Sequence, residues 1–157
     1  APPTVRHQRI SREISRQLAN YLEYKKCEVF AAPFGVRLFE NDGDAPEDVD
    51  TFVEPDISVV CNRNRLDKYG CKGAPDMVIE ILSPSTLRHD RLVKLGLYQR
   101  AGVREYWIVD PKRKTITVNY FEGNIVSVQY LFDSTIKVNI YNDLYINFSE
   151  IADLLDI

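Results

Sequence analysis

No apolar run in this 157-residue chain approaches the roughly 20 residues needed to cross a bilayer, and no signal-peptide pattern leads into it. The sequence opens at Ala1 rather than at a methionine, which fits the loss of a few leading residues. Cysteine is scarce: Cys27, Cys61 and Cys71 are an odd number, and none sits in a CxxC. The expectation is a reduced, cytoplasmic protein whose cysteines fill apolar space, with a Cys61–Cys71 bridge as the alternative. Internal repeats, low-complexity tracts, helix-turn-helix patterns and zinc modules are all missing. What is there is 45% hydrophobic and 11% aromatic at a net charge of −3, which excludes disorder. The length suits one globular domain over residues 1–157 that buries roughly 70% of its unfolded surface.

Charge is arranged in blocks. Seven acids and no base lie between Glu40 and Glu54, whereas nine bases and four acids lie between Ile57 and Arg104. A pI near 5.4 argues against strong nonspecific DNA binding. The basic centre still permits a local phosphate-tracking surface, and ordinary solvated surface explains both blocks as well.

Hydrophobic spacing outlines an α/β chain. Ile10, Ile14, Leu18, Tyr21 and Leu22 recur at helical intervals and predict an amphipathic helix over 5–24. Residues 29–39 read as extended, interrupted around Pro33 to Gly35, and the acidic stretch with Gly43 and Pro46 reads as a loop. ISVVC (57–61), MVIEIL (77–82) and EYWIV (105–109) read as strands, the last two buried on both faces. A helix over 87–101, closed by Gly102, lies between those two and predicts a right-handed crossover joining parallel strands. Residues 115–121 and 125–132 predict a hairpin around Glu122-Gly123-Asn124. A strand over 144–148 and a short helix over 149–155 follow.

Three ionisable residues stand out: Asp56, Glu80 and Lys94. Glu80 interrupts an apolar run, where an ionised side chain costs several kcal/mol unless compensated. If the strands after Asp56 and around Glu80 pair antiparallel, the start of one meets the end of the other, and the two carboxylates lie side by side. Adjacent carboxylates repel, and either one takes up a proton or a divalent cation relieves them; Mg²⁺ prefers one or two carboxylates with water and phosphate. Asp90, Lys94 and Tyr98 share one helix face, which could overhang the pair and bring Lys94 to a developing phosphoryl charge. The alternative is a buried Glu80–Lys94 ion pair with Asp56 capping a turn.

EPDISVVC (54–61), GAPDMVIEILSPST (73–86), the D-x-x-x-K-x-x-x-Y from Asp90 to Tyr98 and GVREYWIVDP (102–111) together resemble the Uma family of restriction-endonuclease-like proteins. That family lies in the PD-(D/E)XK nuclease superfamily. The resemblance runs from about His7 to the C-terminus and is densest between Glu54 and Pro111. It implies a restriction-endonuclease-like core (helix, antiparallel strands, crossover helix, parallel strand) with a C-terminal β-hairpin appendage. It also implies Mg²⁺-dependent phosphodiester hydrolysis, with Mn²⁺ as a substitute. Asp56 and Glu80 would be metal ligands, and the Ile81 carbonyl a further one. The superfamily's lysine position, two after Glu80, is Leu82, so the resemblance implies that Lys94 takes that part from the next helix. The second Pro-Asp pair, Pro75-Asp76, is expected to shape the loop before its strand.

Other residues carry two readings each. Ser83 and Thr86 can touch phosphate or cap a helix. Asp90 and Tyr98 can orient Lys94 or simply pack. Glu13 can add a third carboxylate or sit on the surface. Arg63, Arg65, Lys68 and Lys72 can contact nucleic-acid phosphates or line a solvated loop. His7 and His89 are far apart in sequence and lack evident partners, and Trp107 is expected in the core. Aromatic residues of the C-terminal strands, Tyr120 to Tyr145, can pack the core or form a homodimer interface. The expected function is a DNA endonuclease, the alternative a catalytically inactive nuclease fold kept for nucleic-acid or protein binding.

Overall fold

The structure, a computed structural model, describes residues 2–40, 43–45, 50–86 and 88–155, with the side chain of His89 excepted. Asp42, Pro46, Glu47 and Asp48 of the acidic stretch, and Leu87, the expected start of the crossover helix, lie outside the described residues.

The first helix, α1 (Val5–Leu22), starts where the Thr4 side chain accepts a hydrogen bond from the His7 backbone N–H. Its Ile10, Ile14 and Leu18 are fully buried, each contributing about 1.5–3 kcal/mol of burial. Among the described residues twelve strands follow it, divided by a single crossover, the first nine of them β1 (Glu28–Ala31), β2 (Val36–Arg37), β3 (Phe52–Val53), β4 (Ile57–Val60), β5 (Leu66–Asp67), β6 (Gly70–Lys72), β7 (Met77–Ile81), β8 (Glu105–Asp110) and β9 (Thr115–Tyr120). The tenth, β10 (Val126–Leu131), completes the predicted hairpin with β9. The crossover is α2 (Arg88–Ala101), and the chain closes with β11 (Thr135–Lys137), β12 (Tyr145–Asn147) and α3 (Ser149–Ala152).

The main sheet has the order β1-β4-β7-β8-β9-β10, with β7 and β8 parallel and every other neighbouring pair antiparallel. The hairpin thus extends the sheet. Both faces are covered, as the unbroken apolar run of β7 requires. Ile57, Val59, Met77, Ile79 and Trp107 meet α1, β12 and α3 on one face. Val60, Val78 and Tyr106 meet Tyr98 of α2 together with Val36 and Cys71 on the other. Among the described residues no helix is long and apolar enough to cross a membrane.

Two features were not legible. The segment between β4 and β7, expected as a plain basic connection, folds with the 29–39 stretch into a four-stranded sheet, β3-β2-β6-β5. Arg37, nearly sealed from solvent, ties that sheet together by bonding the carboxylates of Glu40 and Asp67.

The cysteine expectation is corrected. Cys27 and Cys61 form a disulfide, and Cys71 is the buried free thiol. The reason is register: Glu28 pairs with Val60 across β1 and β4, so the next residues outward, Cys27 and Cys61, stand opposite each other. Cys71 sits in the small sheet, packed in the other cluster. Because the bond closes a separation of 34 residues, reduction or Cys27→Ser is expected to cost about 3 kcal/mol in urea unfolding. A thiol titration of the unreduced, denatured chain should find one reactive cysteine, and finding three would remove the bond.

Candidate active site

The antiparallel register of β4 and β7 pairs Ile57 with Ile79. One step further along the ladder, Asp56 stands opposite Glu80 at the end of the two strands. Each acid is held by two kinds of partner. Asp56 accepts the backbone N–H of Ile81 on Oδ2 at 2.7 Å, and its Oδ1 lies 3.2 Å from Nε2 of His7. Its main-chain carbonyl accepts the N–H of Ala32 at 2.9 Å, which prolongs the β1–β4 ladder past its last pair. Glu80 has Lys94 Nζ at 2.7 Å from Oε2 and the Tyr98 hydroxyl at 3.4 Å from Oε1.

Helix geometry explains the convergence on Glu80. Lys94 and Tyr98 are one turn apart on α2, which returns over the even-numbered face of the sheet where Glu80 points. Tyr98 is anchored in turn by the helix end. Gly102, at φ 98°, donates to the Gln99 carbonyl, and Val103 donates to the Tyr98 carbonyl, the paired bonds of a Schellman cap that only a left-handed residue closes without strain. Asp90, a turn before Lys94, is exposed and is not among the partners of Glu80.

The electrostatics are those of crowded negative charge. Burial pushes the Glu80 carboxyl above its ordinary range, the Asp56 charge adds to this, and the Lys94 ammonium opposes it. His7 is raised chiefly by its hydrogen bond to Asp56, against the effect of burial. Tyr98 is pushed far up, by burial first and by Glu80 next, so it stays a neutral hydroxyl donor.

His7 is the residue that sequence reasoning missed, and the statement that it lacks a partner is corrected by its contact with Asp56. The available signal was Thr4: a cap residue three positions earlier fixes His7 in the first helical turn. Glu13 is placed elsewhere, six residues on and held between Arg12 and Arg16. Ser83 lies just beyond β7, its hydroxyl 3.0 Å from that of Ser85 and 3.2 Å from that of Thr86. Arg63, Arg65, Lys68 and Lys72 belong to the small sheet and the turn before it, not to the acidic pair. Arg63 lies 3.8 Å from Glu28, Arg65 donates to the Ala74 carbonyl, and Lys68 lies 5.0 Å from the centre of the Tyr69 ring. Asp76 accepts from the Cys61 N–H at 2.8 Å and faces Arg104, which makes it a structural tie at the start of β7.

Asp56 opens into a cleft of about 640 Å³ between α1 and the turn after β1, with His7, Gln8, Ser11, Ala32 and Glu54 around it. The family described as "Putative restriction endonuclease" (Uma2) matches residues 1–148. This chain belongs to the Uma2 family. The fold of this Uma2 chain is similar to the crystal structure of a putative nuclease belonging to DUF820 from Anabaena variabilis, at a TM-score of 0.75 and 19% identity. That match covers 99% of this chain and 84% of the other. No curated protein matches the sequence.

Among the described residues no group of three or more His, Cys, Asp and Glu side chains is arranged to hold a metal ion. Two carboxylates side by side nevertheless form a hard oxygen donor set. That is the number a Mg²⁺ site takes when water and substrate phosphate complete the shell. A divalent ion would also relieve the raised Glu80, so the two carboxylates of this Uma2 chain fit a divalent cation.

Proposed function

We propose that this Uma2 chain works as a single-domain, metal-dependent DNA endonuclease, with Mg²⁺ or Mn²⁺ held by Asp56, Glu80 and the main-chain carbonyl of Ile81. The observation that carries the reading is the cross-strand placement of Asp56 beside a buried Glu80 whose carboxylate is 2.7 Å from Lys94 Nζ. When bound, the metal supplies Lewis acidity at the scissile phosphate and acidifies a water.

The chain's own residues do the rest. Lys94 has a half-exposed side chain whose tip holds a buried acid, so its ammonium lies between Glu80 and the arriving phosphate. There it stabilises charge developing on the phosphoryl oxygens. His7 and the Ile81 N–H fix the two Asp56 oxygens before substrate arrives, and Tyr98 does the same for Glu80. Ser83, Asp90 and the bases Arg63, Arg65, Lys68 and Lys72 are proposed as outlying contacts to nucleic acid or to Lys94. A homodimer is proposed for cutting both strands.

Calorimetry with Mg²⁺ and Mn²⁺ tests the reading. Binding to the wild type that disappears in Asp56→Asn is expected; no measurable affinity, even with DNA present, overturns it. That second outcome favours a non-catalytic binding module, a reading supported by the fact that His7 and Lys94 already partner both acids.

A further inference from the structure

A crevice of about 560 Å³ opens beyond the carboxyl ends of the parallel strands β7 and β8, and the nuclease reading engages only Ser83 at its rim. Its walls are the first turn of α1, the turn from Leu82 to Thr86, Arg91 in the first turn of α2, and the turn from Asp110 to Arg113. In open α/β sheets this end of parallel strands is where ligands bind. Leu82 is two residues past Glu80 and donates to the Val109 carbonyl at 2.8 Å, so crevice and acidic pair adjoin along one strand end.

The chemistry of the walls is one-sided. Among the described residues Arg6, Arg91, Lys112 and Arg113 bring four cations against one carboxylate, Asp110. That carboxylate is directed at backbone, accepting the N–H groups of Lys112 and Arg113, each at 3.1 Å. Arg6 uses its Nε on the Leu155 carbonyl at 3.2 Å, which holds the guanidinium in place beside the crevice. Among the described residues the buried Nε of Arg91 has no hydrogen-bond partner. Arg91 is itself only partly buried, so the rest of its guanidinium is available to an anion in the crevice that it lines. Hydroxyls of Ser83 and Thr86 add donors on the same rim. Two helices also begin here, and their amide ends favour negative charge.

We infer that this crevice takes a phosphate of the nucleic-acid strand neighbouring the scissile one, gripped by Arg91 with Arg6, Lys112 and Arg113, and with room for the attached nucleoside. The volume lies in the range of whole-ligand pockets, roughly 300–1,000 Å³, and exceeds what a bare ion fills. The inference rests on the nuclease reading for the identity of the strand, but not for the phosphate grip itself. The gripped group is either an internal phosphodiester or a terminal phosphomonoester, which share this chemistry.

The test is fluorescence anisotropy of short DNA oligonucleotides in EDTA, where no cleavage occurs, with the 5′ end phosphorylated, the 3′ end phosphorylated, or both ends free. Arg91→Gln and, at an exposed position that does not bear on folding, Arg113→Gln are each expected to weaken binding about 5- to 20-fold. Each should also flatten the salt dependence by about one unit of slope. In Mg²⁺ the loss should fall on KM rather than kcat. Tighter binding of a phosphorylated end that Arg91→Gln abolishes assigns the terminal group; equal binding of all three assigns the internal one. Unchanged affinity and salt slope in both variants, or no binding of any oligonucleotide by the wild type, overturns the inference. Arg91-dependent binding without any metal-dependent cleavage sustains the crevice while sinking the nuclease reading, so the two fail separately.

Discussion

Glu80→Gln and Asp56→Asn are each expected to lower Mg²⁺-dependent DNA nicking by about 10³-fold or more, and with Glu80→Gln the metal-free protein keeps or gains thermal stability. The activity loss follows from removing one of the two carboxylates paired across β4 and β7. The stability result follows from the sign of the Glu80 shift. Burial and the neighbouring Asp56 hold its carboxyl above the ordinary value, so the folded protein binds that proton more tightly than the unfolded chain does. Stability from this group is therefore full below the unfolded value and declines as pH rises through the folded one. A neutral amide removes the decline. Lys94→Met should behave in the opposite way, weakening activity less but destabilising the fold, because it leaves the Glu80 charge buried without its cation. Nicking assays against Mg²⁺ concentration, paired with melting curves in EDTA, separate these outcomes. Equal nicking by wild type and both carboxylate variants would sink the assignment.

The β4–β7 pairing was legible because one polar residue in a run of apolar ones is a strong signal. Glu80 had to be compensated, and the hydrophobic pattern left few registers in which Asp56 could fail to meet it. The i, i+4 spacing of Lys94 and Tyr98 was equally direct, since a crossover helix must return over the sheet. His7 was hidden because its partner lies 49 residues away and the contact depends on how the start of α1 docks at the sheet end, which no local pattern records. The Cys27–Cys61 bond was hidden for a similar reason: it follows from the β1–β4 register, and β1 was read only as a piece of a bent strand. The small sheet escaped because strands of two or three residues carry no periodicity to read.

Glu105 shows the same limit, and the second large effect is expected there. It opens β8, is fully buried, and was read only as the first letter of an apolar strand. Its carboxylate accepts from Trp107 Nε1 at 2.7 Å and Asn139 Nδ2 at 3.2 Å on one oxygen, and from the Ile140 N–H at 3.0 Å on the other. These bonds tie the main sheet to the segment between β11 and β12, which covers the core face carrying Trp107. Glu105→Ala would strand the buried Trp107 N–H, leave two part-buried donors without their acceptor and open a cavity, and we expect a cost of about 3–5 kcal/mol in urea unfolding. Glu105→Gln keeps the shape but has only one acceptor oxygen for donors on both sides, so about 1–3 kcal/mol is expected. The pH profile gives a second readout. Burial raises the Glu105 carboxyl from its ordinary 4.5, although the three donors oppose this. Its contribution is thus greatest below pH 4.5 and fades as pH climbs through the raised value. Glu13 and Glu122, lowered by their arginines, slope the other way, so the difference between wild type and Glu105→Gln, not either curve alone, isolates the effect. A gap between the two stability curves that stays constant from pH 4 to pH 8 would show that Glu105 holds its partners without any change of proton affinity on folding.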